Sequence, residues 1–187
     1  MDMDSNRIKK RATSSQLLKN RIELNKKYQS SNFENWQYKV YKKIISKYLK
    51  NKNFSSIKIL DVGSGDGLQV SHFVKIFKNV EIWCLDYSNK SLKSLRKKYK
   101  SKNIKIFKFD MNNLHKFIIN RKLTNYFHIA HSSYALYYAK NQKKVLKNMK
   151  SSLKKGGLFL ISAPSEPHDM VNFINRIDNI SPKIIKH

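Results

Sequence analysis

Three glycines at alternate positions, Gly63, Gly65 and Gly67, are separated by Ser64 and Asp66 and follow the apolar run Ile59-Leu60-Asp61-Val62 with its single acid. Glycine permits positive φ and lets a ligand come into contact with the main chain. Free N–H groups where such a loop opens a helix form a ready ligand site. Two phosphate-binding patterns are excluded by the details. A Walker-type loop ends in Gly-Lys-Ser or Gly-Lys-Thr, and neither is present. A dinucleotide fingerprint needs G-x-G-x-x-G, whereas here the third glycine comes one residue early, at Gly67, and Leu68 stands in its place. Asp61 and Asp66 would also repel a pyrophosphate.

These acids suit a ligand that carries no phosphate and has a positive centre. S-adenosylmethionine has an ammonium, a sulfonium and no phosphate. On this reading the bare backbone admits the cofactor and Asp61 favours its cationic end.

The stretch "ILDVGSGDG" resembles the first motif of the class I S-adenosylmethionine-dependent methyltransferases, and the resemblance runs from about Ser56 to Pro164. It implies roles for further residues. Asp86, at the end of "EIWCLD" and about 20 residues past the loop, matches the acid that bonds both ribose hydroxyls, with Tyr87 packing on the adenine. Asp110 matches the acid that accepts from the adenine amine, and Met111 lines that pocket. "LKKGGLFLISAP" is similar to the family's Gly-Gly turn and fifth strand. Ser132 and Ser133 would lie beside the methionyl part, and Tyr134 and Tyr137 would face the acceptor. "LYYAK" is similar to a segment of small-amine N-methyltransferases of the histamine type. The chain departs from the family at Phe127-His128, where an aromatic is usually followed by Asp.

Methyl transfer from a sulfonium expels a neutral, activated leaving group, so placement and exclusion of water carry much of the catalysis. A base is needed only for an acceptor that must lose a proton. His131 and Tyr134 are the candidates for such a role, and a strand-end histidine bonded to backbone is the alternative for His131. "HSSYALYYAKN" holds no acid cluster, so no metal is expected. The Asn-Pro-Pro-Tyr or Asp-Pro-Pro-Tyr of base-amino methyltransferases is absent after strand four, as is the cysteine needed for pyrimidine C5. This favours an N or O acceptor on a small molecule. The alternatives are an RNA-modifying methyltransferase and a cofactor-binding remnant without turnover.

The elements that must position these residues follow from periodicity. From Ser56, apolar runs alternate with amphipathic stretches: strand 56–62, helix 68–77, strand 80–86, helix 88–100 with Ser88 as N-cap, strand 103–110, helix 112–121, strand 126–132, helix 141–154 and strand 157–164. Gly156 and Gly157 are expected to turn the chain before the last strand. Such alternation predicts an α/β, doubly wound, mostly parallel sheet with right-handed crossovers, a Rossmann-like fold. Upstream, Trp36, Val40, Tyr41, Ile44, Ile45, Tyr48 and Leu49 recur at helical spacing behind a capping box, Ser31 with Glu34, and predict an amphipathic packing helix. Residues 1–30 read as a basic, partly disordered arm ahead of one cofactor-binding domain, 31–187. The family's last strands are not evident, and a helix from Ser165 through Ile177 is expected instead. Strand five is then an exposed edge that invites a partner strand or aggregation, and a homodimer that covers it is one of the alternatives.

The chain has 187 residues and a formal charge of +27. The charge fits a phosphate-bearing partner such as RNA. A compositional bias is the favoured reading, because Lys far outnumbers Arg, Asn, Ile, Phe and Tyr are abundant, and the lysines are scattered. No stretch has the length of a membrane span. One cysteine, Cys84, excludes an internal disulfide framework and reads as a buried strand thiol, which suits the cytoplasm.

Overall fold

The computed structural model describes residues 33–50, 52 and 54–162. The expected arm, the Ser31 cap and the helix after Ser165 lie outside the described residues. The order is α1 (Phe33–Leu49), β1 (Ile57–Val62), α2 (Leu68–Ile76), β2 (Val80–Asp86), α3 (Asn89–Lys98), β3 (Ile104–Lys108), α4 (Leu114–Asn120), β4 (Phe127–Ser133), α5 (Gln142–Ser152) and β5 (Leu153–Ser162). Short 3-10 turns, Met111–Asn113 and Leu136–Tyr138, precede α4 and α5. All pairings are parallel, in the order β3-β2-β1-β4-β5.

The strands alternate side chains between two faces, and each face makes its own core. Ile57, Ile59, Ile82, Cys84 and Ile129 pack under Tyr41 and Ile45 of α1, Val70 and Phe73 of α2, and Leu92 and Leu95 of α3. Leu60, Val62, Trp83, Leu85 and Ala130 pack on Leu114, Phe117 and Ile118 of α4 and Val145 and Met149 of α5. Helices on both faces of a parallel sheet follow from right-handed crossovers, as the alternation predicted. Asp61 and His131 fall on the first face, in register with each other.

Two local expectations are corrected. Gly156 and Gly157 lie inside β5, which starts at Leu153 rather than after them. A register shift against β4 between Phe127 and Ile129, with Gly156 at φ 71°, absorbs the bend as a bulge. Strand five is covered less than the inner strands, and it is an edge among the described residues. Ile44 is 38% exposed, off the packing face that buries Tyr41 and Ile45. Ser88 caps α3 as expected, its hydroxyl accepting from the Ser91 N–H. Among the described residues no helix is long and apolar enough to cross a membrane.

Candidate active site

The order of strands reverses between β1 and β4, and open α/β sheets bind ligands in the crevice outside the carboxyl ends of their strands at such a point. The carboxyl ends of β1, β2, β3 and β4 carry the glycine loop, Asp86-Tyr87, Asp110-Met111 and Ser133-Tyr134, so the topology brings the expected residues to one edge.

The three glycines are not equivalent. A Cβ on Gly63 would run into Ala135 Cβ, and one on Gly67 would run into Leu95 Cδ1; both positions also have positive φ. These two are bare because the chain packs on itself there. Gly65, at φ 55°, has nothing within 4 Å of where a Cβ would stand. Only Gly65 leaves backbone open in the sense that the sequence suggested for all three. Its N–H donates to Asp86 Oδ2 at 2.8 Å, tying the loop to the end of β2. Met111 Cε comes within 3.8 Å of the Cβ position of Gly63, so the segment after β3 reaches the same crevice.

Asp86 accepts a second backbone bond, from Ser88 N–H to Oδ1 at 2.7 Å. A carboxylate has about four lone-pair sites, so these bonds leave it acceptor capacity. Burial raises its pKa, and the N–H groups of Ser88 and Gly65 oppose that shift. Asp110 caps the 3-10 turn, with Oδ1 accepting from Asn112 N–H at 3.0 Å and from the Asn112 amide at 2.7 Å. Asp66 pairs with Lys98 Nζ at 2.7 Å on the surface, where the ammonium offsets its charge. Tyr87 is exposed, as are Tyr134 and Tyr137. Tyr134 has a left-handed backbone, φ 49°, and its N–H donates to Ser162 O at 2.8 Å. Left-handed conformation in an aromatic residue costs free energy and collects at functional sites.

Beneath the crevice lies a buried polar cluster that the sequence reading missed. Asp61, 1% exposed, joins His131, 0% exposed, through Oδ1 and Nδ1 at 2.7 Å. His131 Nε2 meets the Tyr41 hydroxyl at 2.9 Å, and that hydroxyl meets Ser162 Oγ at 2.8 Å. Phe73 and Tyr41 stand edge-on to the imidazole. His131 is therefore neither bonded to backbone nor open to an acceptor; both ring nitrogens are engaged. Ser132 also turns inward, donating to Val62 O at 2.8 Å, which takes it from the expected cofactor contact. Ser133 remains half-buried at the edge, where the amides of Gln37 and Gln69 reach it at 3.4 and 3.3 Å. Tyr41 and Gln37 sit one helical turn apart, and a hydroxyl and an amide on the buried stripe of α1 were the signal available in the sequence.

Two polar atoms at the loop are buried without a hydrogen-bond partner, Asp61 Oδ2 and Ser64 Oγ. Buried polar atoms left unpaired cost roughly 1–3 kcal/mol each. Together with the open Gly65 and the spare acceptor sites of Asp86, they fit an occupant rich in donors and bearing a cation.

Residues 53–183 match the model of a family described as a methyltransferase domain. Among curated proteins none matches the chain significantly. Among solved structures, a Methanococcus maripaludis protein assigned as an S-adenosyl-L-methionine-dependent methyltransferase aligns with TM-score 0.59 at 18% identity, over 91% of this chain and 73% of that one. The plantazolicin methyltransferase BamL, in complex with a triazolic desmethyl analogue and SAH, aligns with TM-score 0.60 at 18% identity, over 80% of this chain and 53% of BamL. The CurJ carbon methyltransferase gives 0.59 at 17%, over 69% of this chain and 35% of CurJ. At such identities the likeness is one of fold, and this chain spans only part of the length of each. The family match, in contrast, takes in the glycine loop and the ends of all five strands, and by it the chain belongs to the methyltransferase-domain family, among the class I S-adenosylmethionine-dependent methyltransferases.

Proposed function

We propose that this domain transfers a methyl group to an N or O atom of a small molecule, and that the crevice at the β1–β4 reversal holds its cofactor. The observation that carries this reading is the meeting of Gly65, Asp86 and the unpaired Asp61 Oδ2 at one sheet edge. When bound, S-adenosylmethionine supplies a methyl group on a sulfonium that departs as a neutral thioether. Asp86 accepts from the ribose hydroxyls with the lone pairs that Gly65 and Ser88 leave. Asp110, Met111 and Tyr87 form the adenine side. Asp61, with Ser64 and Ser133, serves the charged tail. Tyr134 and Tyr137 face the acceptor, and their rings suit an apolar or cationic body. Holding the acceptor in line and excluding water is the main task left to the protein.

Calorimetry with S-adenosylmethionine and its demethylated product tests the assignment. Wild type is expected to bind in the micromolar range, and Asp86→Ala to lose about 1–3 kcal/mol through the missing charge-assisted bonds. Equal affinity in the variant rejects the ribose placement.

A second reading, methylation of RNA, has one observation in its favour. At the other end of the sheet Lys150, Lys154 and Lys155 line a groove with Asn125 and Phe159. Binding to RNA that weakens steeply and linearly on a log–log salt scale would support it. A homodimer across β5, and a cytoplasmic setting suggested by the single thiol, belong to the first reading; sedimentation of the full chain checks the dimer.

A further inference from the structure

The polar cluster under α1 has a direction. Asp61 is the one charged group facing His131 among the described residues; the other titratable neighbours are Tyr41 on α1, His72 on α2, which lies 5.9 Å from the Tyr41 ring, and Cys84 on β2, in register with Asp61. From β5, the residue opposite His131 is the apolar Leu160. Asp61 as carboxylate accepts only, so the Nδ1 of His131 carries the hydrogen of their bond. With His131 neutral, Nε2 then has a bare lone pair, and the Tyr41 hydroxyl must donate to it. The lone pairs of Tyr41 face Ser162, whose hydroxyl donates in turn, and the Gln37 amide at 3.4 Å. Ser162, half-buried at the end of β5, is where this chain of bonds meets the crevice edge: it stands opposite Ser133 in register, and its carbonyl accepts the Tyr134 N–H.

We propose that Ser162, Tyr41 and His131, with Asp61 behind them, form a proton relay that takes the proton from an amine or hydroxyl acceptor as it is methylated. The inference rests on the methyl-transfer reading above. The step balances in protons. The acceptor atom loses one proton to Ser162 Oγ, Ser162 passes its own to Tyr41, and Tyr41 passes its own to Nε2 of His131. Ser162 and Tyr41 end as hydroxyls, His131 ends as imidazolium, and the Asp61 carboxylate stabilises that cation. The proton returns by the reverse path to water at Ser162 once product has left. Burial raises the Tyr41 pKa, with the Ser162 and Ser133 hydroxyls opposing, so Tyr41 hands on a proton rather than holding a charge of its own. Ser162 is the catalytic residue in this scheme, because it touches the acceptor; Tyr41, His131 and Asp61 act through it. The buried His131 thereby serves as base for an acceptor that it does not touch.

The test is two-bond 1H–15N spectroscopy of the full chain labelled with 15N-histidine. Tyr41→Phe is run beside it; it keeps the ring packing and identifies His131 by the shift of its Nε2. The expected result is hydrogen on Nδ1 of His131 and an imine Nε2 in the resting protein. In Tyr41→Phe the Nε2 signal moves toward that of an unbonded imine while Nδ1–H persists. Hydrogen on Nε2, or an Nε2 indifferent to Tyr41→Phe, overturns the relay. Calorimetry with S-adenosylhomocysteine on the same samples reads the cofactor site separately. Binding retained beside the wrong tautomer sinks the relay alone; no binding beside the expected tautomer sinks the methyl-transfer reading, and the relay with it.

Discussion

Gly63 and Gly65 stand two positions apart and answer to different neighbours. A methyl on Gly63 meets Ala135 Cβ, while one on Gly65 meets nothing, although both backbones are left-handed. Gly65→Ala is therefore expected to cost about 1–2 kcal/mol in stability from the backbone alone and to weaken cofactor binding. Gly63→Ala is expected to cost more stability than that, because Ala135 must also move. Denaturant melts paired with calorimetry separate the two, and equal stability losses would contradict the packing described. Asp86 adds a pH dependence. Its raised pKa means that the folded, ligand-free protein holds this proton more tightly than the unfolded chain does, so ionising it lowers stability as pH rises above the ordinary 3.8. Ribose hydroxyls favour the ionised form, so cofactor affinity is expected to be full well above the folded pKa and to fall as pH drops through it. The profile should flatten in Asp86→Asn. The sequence showed these acids and glycines because their types and spacing are sharp. It did not show that Asp66 is matched by Lys98, because that pairing joins residues 32 apart.

At the scale of elements, alternating apolar runs made all five strands and the helices between them legible, to within a residue or two at most ends. The capped start of α3 was legible because Ser88 bonds locally to Ser91. Strand five began earlier than expected because Gly156-Gly157, read as a turn, is held in the ladder as a bulge. The buried polar cluster was opaque for a different reason: Tyr41, Asp61, His131 and Ser162 come from four elements, and only sheet register sets them side by side. Helix α1 is tied to the sheet by Ile45, fully buried, as well as by Tyr41. Ile45→Ala is expected to destabilise by about 2–5 kcal/mol, and chemical denaturation measures it. Asn141 caps α5, accepting from Lys144 N–H at 2.9 Å, so Asn141→Ala is expected to cost about 1 kcal/mol.

For the molecule as a whole, charge and acid sensitivity set the working range. A formal charge of +27 means self-repulsion, which added salt screens. Thermal midpoints are expected to rise with sodium chloride between about 0.05 and 0.5 M; a fall would show that ion pairs outweigh repulsion. His128 is held neutral, its pKa lowered from 6.5 to about 4 by burial and by the ammonium groups of Lys154 and Lys58. Its ring accepts the Lys58 N–H at 2.9 Å. A depressed base contributes stability in full above 6.5 and loses it as pH falls toward about 4. Melts across that window should drop in wild type and drop less in His128→Gln.

Cys84 gives the molecule a built-in clock. It is the only thiol in the chain, it is completely enclosed, and burial, with the nearby Asp61 carboxylate, pushes its pKa well up. An alkylating reagent has no thiolate to attack until β2 itself comes apart. The rate at which the sulfur is modified then measures how often the centre of the sheet opens, and a tightly held cofactor would be visible as a slowing of that rate.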